Sequence, residues 1–349
     1  MIKVGFIIEN YYPSYGGPYS VINETIRALS KNNEFKLKLI YQNGRNGKKD
    51  IDLVEAIKDL DICHFFGGWT YFYIKTSLLA FKFKKKVIVC PFGIFEPWSM
   101  EQKKIKKKIA WFLYQESILK KADIVHCTSQ VEEKNLLRLN PHFKTIVLPH
   151  GIEDKFIKKK TEKIPNKNKL KKALFFSRAH PKKGLNELLK AWIEIDNKNW
   201  TLDIIGPYEN KNYYESLLDI ARNSNAKIRF STTVYPDYNK KKLLFKKYNF
   251  FVLPTKNEAF GMSILESLSR GLPVLTNKNA PWAEIKIFNA GWFIEDNYFH
   301  LKSVLKKIFR TSDKNFYLKS NNAIKLSKKY SWSAILQNYI LLYRQLLSK

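Results

Sequence analysis

A strand–loop–helix alternation runs along most of this 349-residue chain, stops once and starts again, and that rhythm constrains the fold more than any other feature. KVGFII opens as a short buried strand, followed by the loop ENYYPSYGGPYS and a helix with Val21, Ile22, Ile26 and Leu29 on one face. FKLKLIY, DICHFF, KVIVCPFG and DIVHCTS read as strands. QKKIKKKIAWFLYQESILKKA and QVEEKNLLRL read as helices. Alternation of this kind specifies a parallel sheet covered by helices. Over 154–172 it breaks into polar, Lys-rich chain carrying Pro165, which reads as an interdomain linker. It then resumes with the strands KALFFSR, WTLDIIG, KIRFS, NFFVLPT and LPVLTN. Helices are expected over LNELLKAWIEI, YYESLLDIARNS, YNKKKLLFKKY and the segment NEAFGMSILESLSRG. The expectation is an α/β chain of two Rossmann-like halves, 1–160 and 168–325. AIKLSKKYSWSAILQNYILLYRQLL is expected to form one long closing helix; the stretch 326–349 could cross back to the first half.

Composition narrows the partners. Lys plus Arg number 62 against 31 Asp plus Glu, a formal net charge of +31, which favours nucleic acid, anionic headgroups or phosphate-bearing substrates. Lysine is spread along the whole chain with many Asn and Ile, a bias that an AT-rich genome also produces. No recognition helix, RNA-binding sheet motif or zinc spacing accompanies the charge, so a basic nucleic-acid-binding α/β protein is the weaker reading. Cys63, Cys90 and Cys127 form no C-x-x-C pair and sit in or beside apolar strands, as expected of reduced core residues in a cytoplasmic chain. No stretch approaches 18 uninterrupted apolar residues, and MIKVGFIIEN reads as a strand rather than a leader.

Three constellations carry candidate chemistry. In ALFFSRAHPKKGLNELLKAW a strand ends at Ser177 and a basic loop precedes Gly184 and a helix. Ligands of open α/β sheets bind beyond the carboxyl ends of strands. Arg178 and Lys183 lie there, a fork and a point charge for phosphate. In the second, Glu258 follows the strand FFVLPT, and Gly261 permits close backbone approach at a helix start. Amides at Gly261, Met262 and Ser263 would face an anion, and Glu266 falls in the first turns. A carboxylate pair flanking such a start suits a sugar nucleotide; the bland alternative is a surface helix with solvated glutamates. In the third, Gly16 and Gly17 lie between the first strand and its helix without the G-x-G-x-x-G dinucleotide pattern.

With these motifs on the page, the chain resembles the retaining glycosyltransferases of family 4, of GT-B fold. The matching elements are Gly16–Gly17, LPHGIE at 148–153, SRAHPKKG at 177–184, IIGP at 204–207 and NEAFGMSILESLSRGLPVLT. APW at 280–282, GW at 291–292 and YSW at 330–332 complete them. SRAHPKKGLNELLKAW and APW…GW resemble the bacterial branch that builds lipopolysaccharide, O-antigen and capsule. The resemblance implies two Rossmann-like domains whose parallel sheets face across a cleft. It implies transfer of a hexose or N-acetylhexosamine from a nucleotide-diphosphate sugar to a saccharide, lipid- or polyprenyl-linked, on the inner face of the bacterial membrane. Arg178 and Lys183 would hold the donor diphosphate, Glu258 the donor sugar and Glu266 the ribose. Gly261 and Met262 would offer amides, Gly16 and Gly17 would approach the diphosphate, and the loop PFGIFEPW would line the acceptor side. Phe92 stands where relatives often carry Arg, and Phe66 where they often carry His.

No carboxylate–histidine cluster has metal-ligand spacing, so neither a metal nor a separate cofactor is expected. His64 and His126 each end a strand pattern of the first half, and His126 fits a satisfied core histidine better than an acceptor contact. KKIKKKIAWFLY at 103–114 sets Ile105, Ile109 and Leu113 at helical spacing among lysines. Such a helix either docks on anionic lipid or turns its apolar face to the core. A glycoside hydrolase using Glu258 and Glu266 is a further rival that leaves Arg178 and Lys183 unexplained.

Overall fold

The structure is a computed structural model that describes residues 1–42, 52–161, 170–195, 197–235 and 237–348. The chain divides into two compact units, Met1–Gly151 with Trp332–Lys349, and Ile152–Ser331. Part of the expected linker, 162–169 with Pro165, lies outside the described residues.

The first unit runs β1 Ile2–Ile8, α1 Gly17–Leu29, β2 Phe35–Tyr41, α2 Leu53–Lys58, β3 Ile62–Phe66, α3 Tyr71–Lys82 and β4 Lys86–Cys90. It continues with α4 Pro97–Glu101, α5 Lys104–Ala110, α6 Glu116–Lys121, β5 Ile124–Cys127, α7 Gln130–Leu139 and β6 Thr145–Val147. All its strands pair in parallel, in the order β2-β1-β3-β4-β5-β6. The inner strands β1, β3, β4 and β5 bury both faces. Val4, Phe6 and Ile8 enter one core while Ile7 enters the other, as do Ile62 and Phe66 against Cys63 and Phe65.

The second unit runs β7 Lys171–Phe176, α8 Leu185–Ile195, β8 Trp200–Ile205, α9 Lys211–Arg222, β9 Ile228–Ser231, α10 Tyr238–Phe245 and β10 Phe250–Leu253. It continues with α11 Met262–Ser269, β11 Val274–Asn277, α12 Glu284–Ile287, β12 Gly291–Ile294, α13 Tyr298–Phe309 and α14 Asp313–Lys328. Its sheet is likewise parallel, in the order β12-β11-β10-β7-β8-β9. The edge strands β6 and β12 have no counterpart in the strands read from sequence; both are short and only partly buried.

Two expected helices are corrected. The closing helix is two: α14 stops at Lys328, and α15 spans Trp332–Leu347. Between them Ser331 bridges Ile152, whose N–H donates to the Tyr330 carbonyl at 2.9 Å, which takes the backbone out of helical pairing. Helix α15 packs Trp332, Ile335, Tyr339 and Tyr343 into the core of the first unit, and Arg344 forks onto Glu34 at 2.9 and 2.6 Å. The expected helix over 102–122 is also broken. Lys103 is left-handed (φ 53), and Trp111–Gln115 forms a π turn between α5 and α6. The wider turn puts Trp111 and Gln115 inward, where Gln115 accepts from Trp69 N at 3.2 Å.

Candidate functional site

In each sheet one neighbouring pair of strands begins windings in opposite directions, and ligands of such sheets bind beyond the carboxyl ends there. In the second unit that pair is β7 and β10. The loop after β7 carries Arg178, His180 and Lys183. The loop after β10 carries Glu258. The fold therefore joins two segments some 75 residues apart at one switch point.

The β7 loop is shaped locally. The His180 ring accepts from Lys182 N at 3.1 Å and caps a 3-10 turn over Pro181–Lys183. Gly184 follows in the left-handed region (φ 71), and a Cβ there would meet the Pro254 carbonyl oxygen at 2.0 Å. Only glycine allows this approach of the two loops. Lys256 N and Thr255 Oγ1 both donate to the Lys182 carbonyl, at 2.7 and 3.0 Å. Lys183 and Glu258 then meet as an ion pair with both side chains largely buried. Arg178 lies farther out and pairs with Glu209 on the loop after β8. Burial and the Arg178, Lys182 and Lys183 charges push the His180 imidazole down to about 4. It is neutral at pH 7, so its 3.7 Å approach to Glu209 is not a charged pair.

Gly261 is left-handed (φ 87) and begins α11, where the Ile264 and Leu265 amides both donate to its carbonyl, at 2.9 and 3.3 Å. The turn Ala259–Gly261 is propped by an aromatic trio. Trp282 Nε1 donates to the Phe260 carbonyl, and the Trp282 and Tyr330 rings lie 5.0 Å apart against Phe260. The APW and YSW motifs thus serve the same turn from two other segments. Met262 is buried at the helix start.

Glu266 is 2% exposed and does not share Glu258's partner. Its Oε1 lies 2.5 Å from Lys241 Nζ on α10. The two glutamates therefore sit in separate ion pairs, an arrangement that gives no support to a hydrolase dyad. The reading from sequence missed Lys241; the only signal was its spacing to Leu244 and Phe245, three and four residues on, which are buried on the same face.

In the first unit Gly16 (φ 76) and Gly17 follow β1 and begin α1, and a Cβ on Gly17 would meet nothing within 4 Å. The switch point of this sheet lies between β1 and β3. The loop after β4 is held by Glu132 on α7, which accepts from Gly93 N at 2.6 Å and from Thr128 N and Oγ1 at 2.7 Å. Phe92 is left-handed (φ 56), and its ring packs on Phe66 at 5.3 Å, so the two departures from the family pattern touch. His64 and His126 are buried in a directed chain. The Leu148 carbonyl requires the proton on His126 Nε2 (2.8 Å). His126 Nδ1 then accepts from His64 Nε2 (3.2 Å), and His64 Nδ1 accepts from the Tyr343 hydroxyl (3.0 Å). Burial holds His126 down to about 4 and His64 and His150 well below their ordinary range. Ile105, Ile109, Phe112 and Leu113 are exposed rather than turned to the core, at 77, 54, 70 and 75%.

Residues 156–325 match the family described as Glycosyl transferases group 1. A 41.2 kDa protein of the cps region of Klebsiella pneumoniae is 28% identical over 239 residues, covering 64% of this chain. The match spans 62% of that protein, and 17% of the sucrose-phosphate synthase of Spinacia oleracea, less than two thirds of either relative's length. Among solved structures, sucrose-phosphate synthase from Thermosynechococcus elongatus superposes with a TM-score of 0.79 at 15% identity over the whole of both chains. Anabaena HepE in complex with UDP-glucose gives 0.77 at 16%, again over both whole chains. WaaG, a glycosyltransferase involved in lipopolysaccharide biosynthesis, gives 0.69 at 16% over 96% of this chain and 98% of that one. The two six-stranded parallel sheets with their helices thus form the GT-B fold, and residues 156–325 of the second unit are similar to the glycosyl transferases group 1 family.

Proposed function

We propose that this chain is a retaining, metal-independent glycosyltransferase. It moves a hexose or N-acetylhexosamine from a nucleotide-diphosphate sugar to a saccharide acceptor, lipid- or polyprenyl-linked, in lipopolysaccharide, O-antigen or capsule synthesis. The observation that carries this reading is the Lys183–Glu258 pair at the β7/β10 switch point, beside the glycine that begins α11. In the reaction the bond from the sugar's anomeric carbon to the β-phosphate oxygen breaks. A bond to an acceptor hydroxyl oxygen forms, and the proton of that hydroxyl passes to the departing diphosphate. Arg178 and Lys183 offset the charge growing on the leaving diphosphate. The α11 first-turn amides at Gly261 and Met262 bind phosphate or sugar oxygens. Glu258 accepts from donor-sugar hydroxyls, and Glu266 from the ribose. For Gly16 and Gly17 we propose backbone contact with substrate. The UDP-glucose complex of HepE and the lipopolysaccharide role of WaaG support the donor class and the pathway class.

A cytoplasmic enzyme working on the membrane's inner face needs a docking surface. Among the described residues no helix is long and apolar enough to cross a membrane. The exposed Ile105, Ile109, Phe112 and Leu113, ringed by Lys103, Lys104, Lys106 and Lys108, suit a headgroup region of anionic lipid.

A thermal-shift screen with UDP-, GDP- and ADP-sugars tests the donor, since a ligand bound to the native state raises the melting temperature by mass action. The expected result is a rise with one nucleotide class, and transfer from that donor giving a product of the donor's anomeric configuration by NMR. No rise with any of them, or an inverted product, would sink the reading.

A further inference from the structure

Lys241 has no role in the chemistry set out above, and its position is unusual. Of the three successive lysines on α10, Lys240 is exposed and Lys242 half-buried, whereas Lys241 is 4% exposed, on the face that carries Leu244 and Phe245. An ammonium in such a place is costly without a partner, and an apolar side chain there would commonly serve stability as well or better. Its partner is Glu266, at 2.5 Å. The lysine is itself steadied over the Tyr238 ring at 5.6 Å, and Tyr238 stacks on Phe156 at 4.3 Å. The ammonium takes one carboxylate oxygen, Oε1, and so selects one orientation for the other.

We propose that Lys241 is a positioning residue for nucleotide recognition: by holding Oε1 of Glu266 it presents Oε2 to the ribose hydroxyls of a nucleoside diphosphate. The inference rests on the reading of Glu266 as the ribose contact. It makes Lys241 a determinant of ribose against deoxyribose discrimination, acting through Glu266 and not on the phosphates.

Titration calorimetry with UDP, GDP and ADP, their 2′-deoxy forms and pyrophosphate tests it in the full chain. Lys241→Met is expected to lose about tenfold or more in affinity for the bound ribonucleotide, the scale of leaving a buried charged group without its partner. Its ratio of ribo- to deoxyribonucleotide affinity should fall toward one, while pyrophosphate binding stays as in the parent. Lys241→Arg should restore most of the ratio. Lys241→Met/Glu266→Gln removes the unpaired charge and should bind no worse than Glu266→Gln alone, because the two residues act as a unit. Circular dichroism and melting curves establish that each variant is folded; if Lys241→Met does not fold, the double variant and Lys241→Arg decide. A Lys241→Met protein that keeps the parent's ratio, while Glu266→Gln loses it, overturns the role of Lys241 alone. A Glu266→Gln protein with unchanged affinity and ratio overturns the ribose reading and this inference with it.

Discussion

Single atoms decide much of this molecule, and two glycines show it with opposite outcomes. Gly184→Ala would drive a Cβ to 2.0 Å from the Pro254 carbonyl at a left-handed φ. We expect a loss on the order of 2–4 kcal/mol in urea denaturation, from backbone strain together with overpacking. The variant should also separate Lys183 from Glu258 and abolish transfer. Gly17→Ala meets open space, so its stability should stay within about 0.5 kcal/mol of the parent. A fall in transfer by that variant would then report a substrate contact, and full activity would remove Gly17 from the site. Glu258→Gln and Arg178→Ala are each expected to slow turnover by about a hundredfold or more, the scale of removing one key electrostatic group. Full activity in either, measured with the donor that thermal shift identifies, would refute the assignment. Arg178 and Lys183 could be read from the sequence because they follow a buried strand. Lys241 could not, because its spacing to Leu244 and Phe245 is matched by that of Lys240 to Leu243 and Leu244, so the pattern does not single out which lysine turns inward.

At the scale of elements, the region from Lys104 to Lys121 departs most from its periodicity. Its apolar spacing predicts a helix, but spacing does not say what covers the apolar face. The structure answers with a π turn that sends Trp111 and Gln115 inward and leaves Ile105, Ile109, Phe112 and Leu113 in solvent. Ile109→Asp/Phe112→Asp should leave the melting temperature unchanged, since neither side chain is packed. Burial of each apolar side chain contributes about 1.5–3 kcal/mol, so partition onto anionic vesicles should fall at least about tenfold in a sedimentation assay. Binding by the parent should weaken as salt rises, because exposed lysines near a charged surface contribute about 1 kcal/mol each and are screened. Parent protein that stays in the supernatant at low salt would refute the docking surface.

The whole molecule carries a pH dependence in its buried histidines. An unfolded chain titrates His126 near 6.5, whereas the fold holds it down to about 4. Between those values the unfolded chain takes up a proton that the native state refuses, so stability falls as pH falls through this window. His126 alone contributes on the order of 3 kcal/mol to that fall, and His64 and His150 act in the same direction. Urea midpoints should therefore decline steadily from pH 7 to pH 5, and a flat profile would contradict the neutral chain from Tyr343 to Leu148. Local periodicity by itself determined most strands, the parallel class and the two-part plan, because an apolar run flanked by helices can be buried in few other ways. It also put Arg178, Lys183, Glu258 and Gly261 at strand ends and a helix start. Only the tertiary structure decided the extent of the closing helix, which the Ile152–Ser331 bridge divides, and the face that α15 covers. The partners of the two glutamates were decided there too. The β7/β10 switch point unites Lys183 with Glu258, and the inward face of α10 gives Lys241 to Glu266. Pairing across such distances depends on strand order and helix phase, which no local stretch of chain encodes.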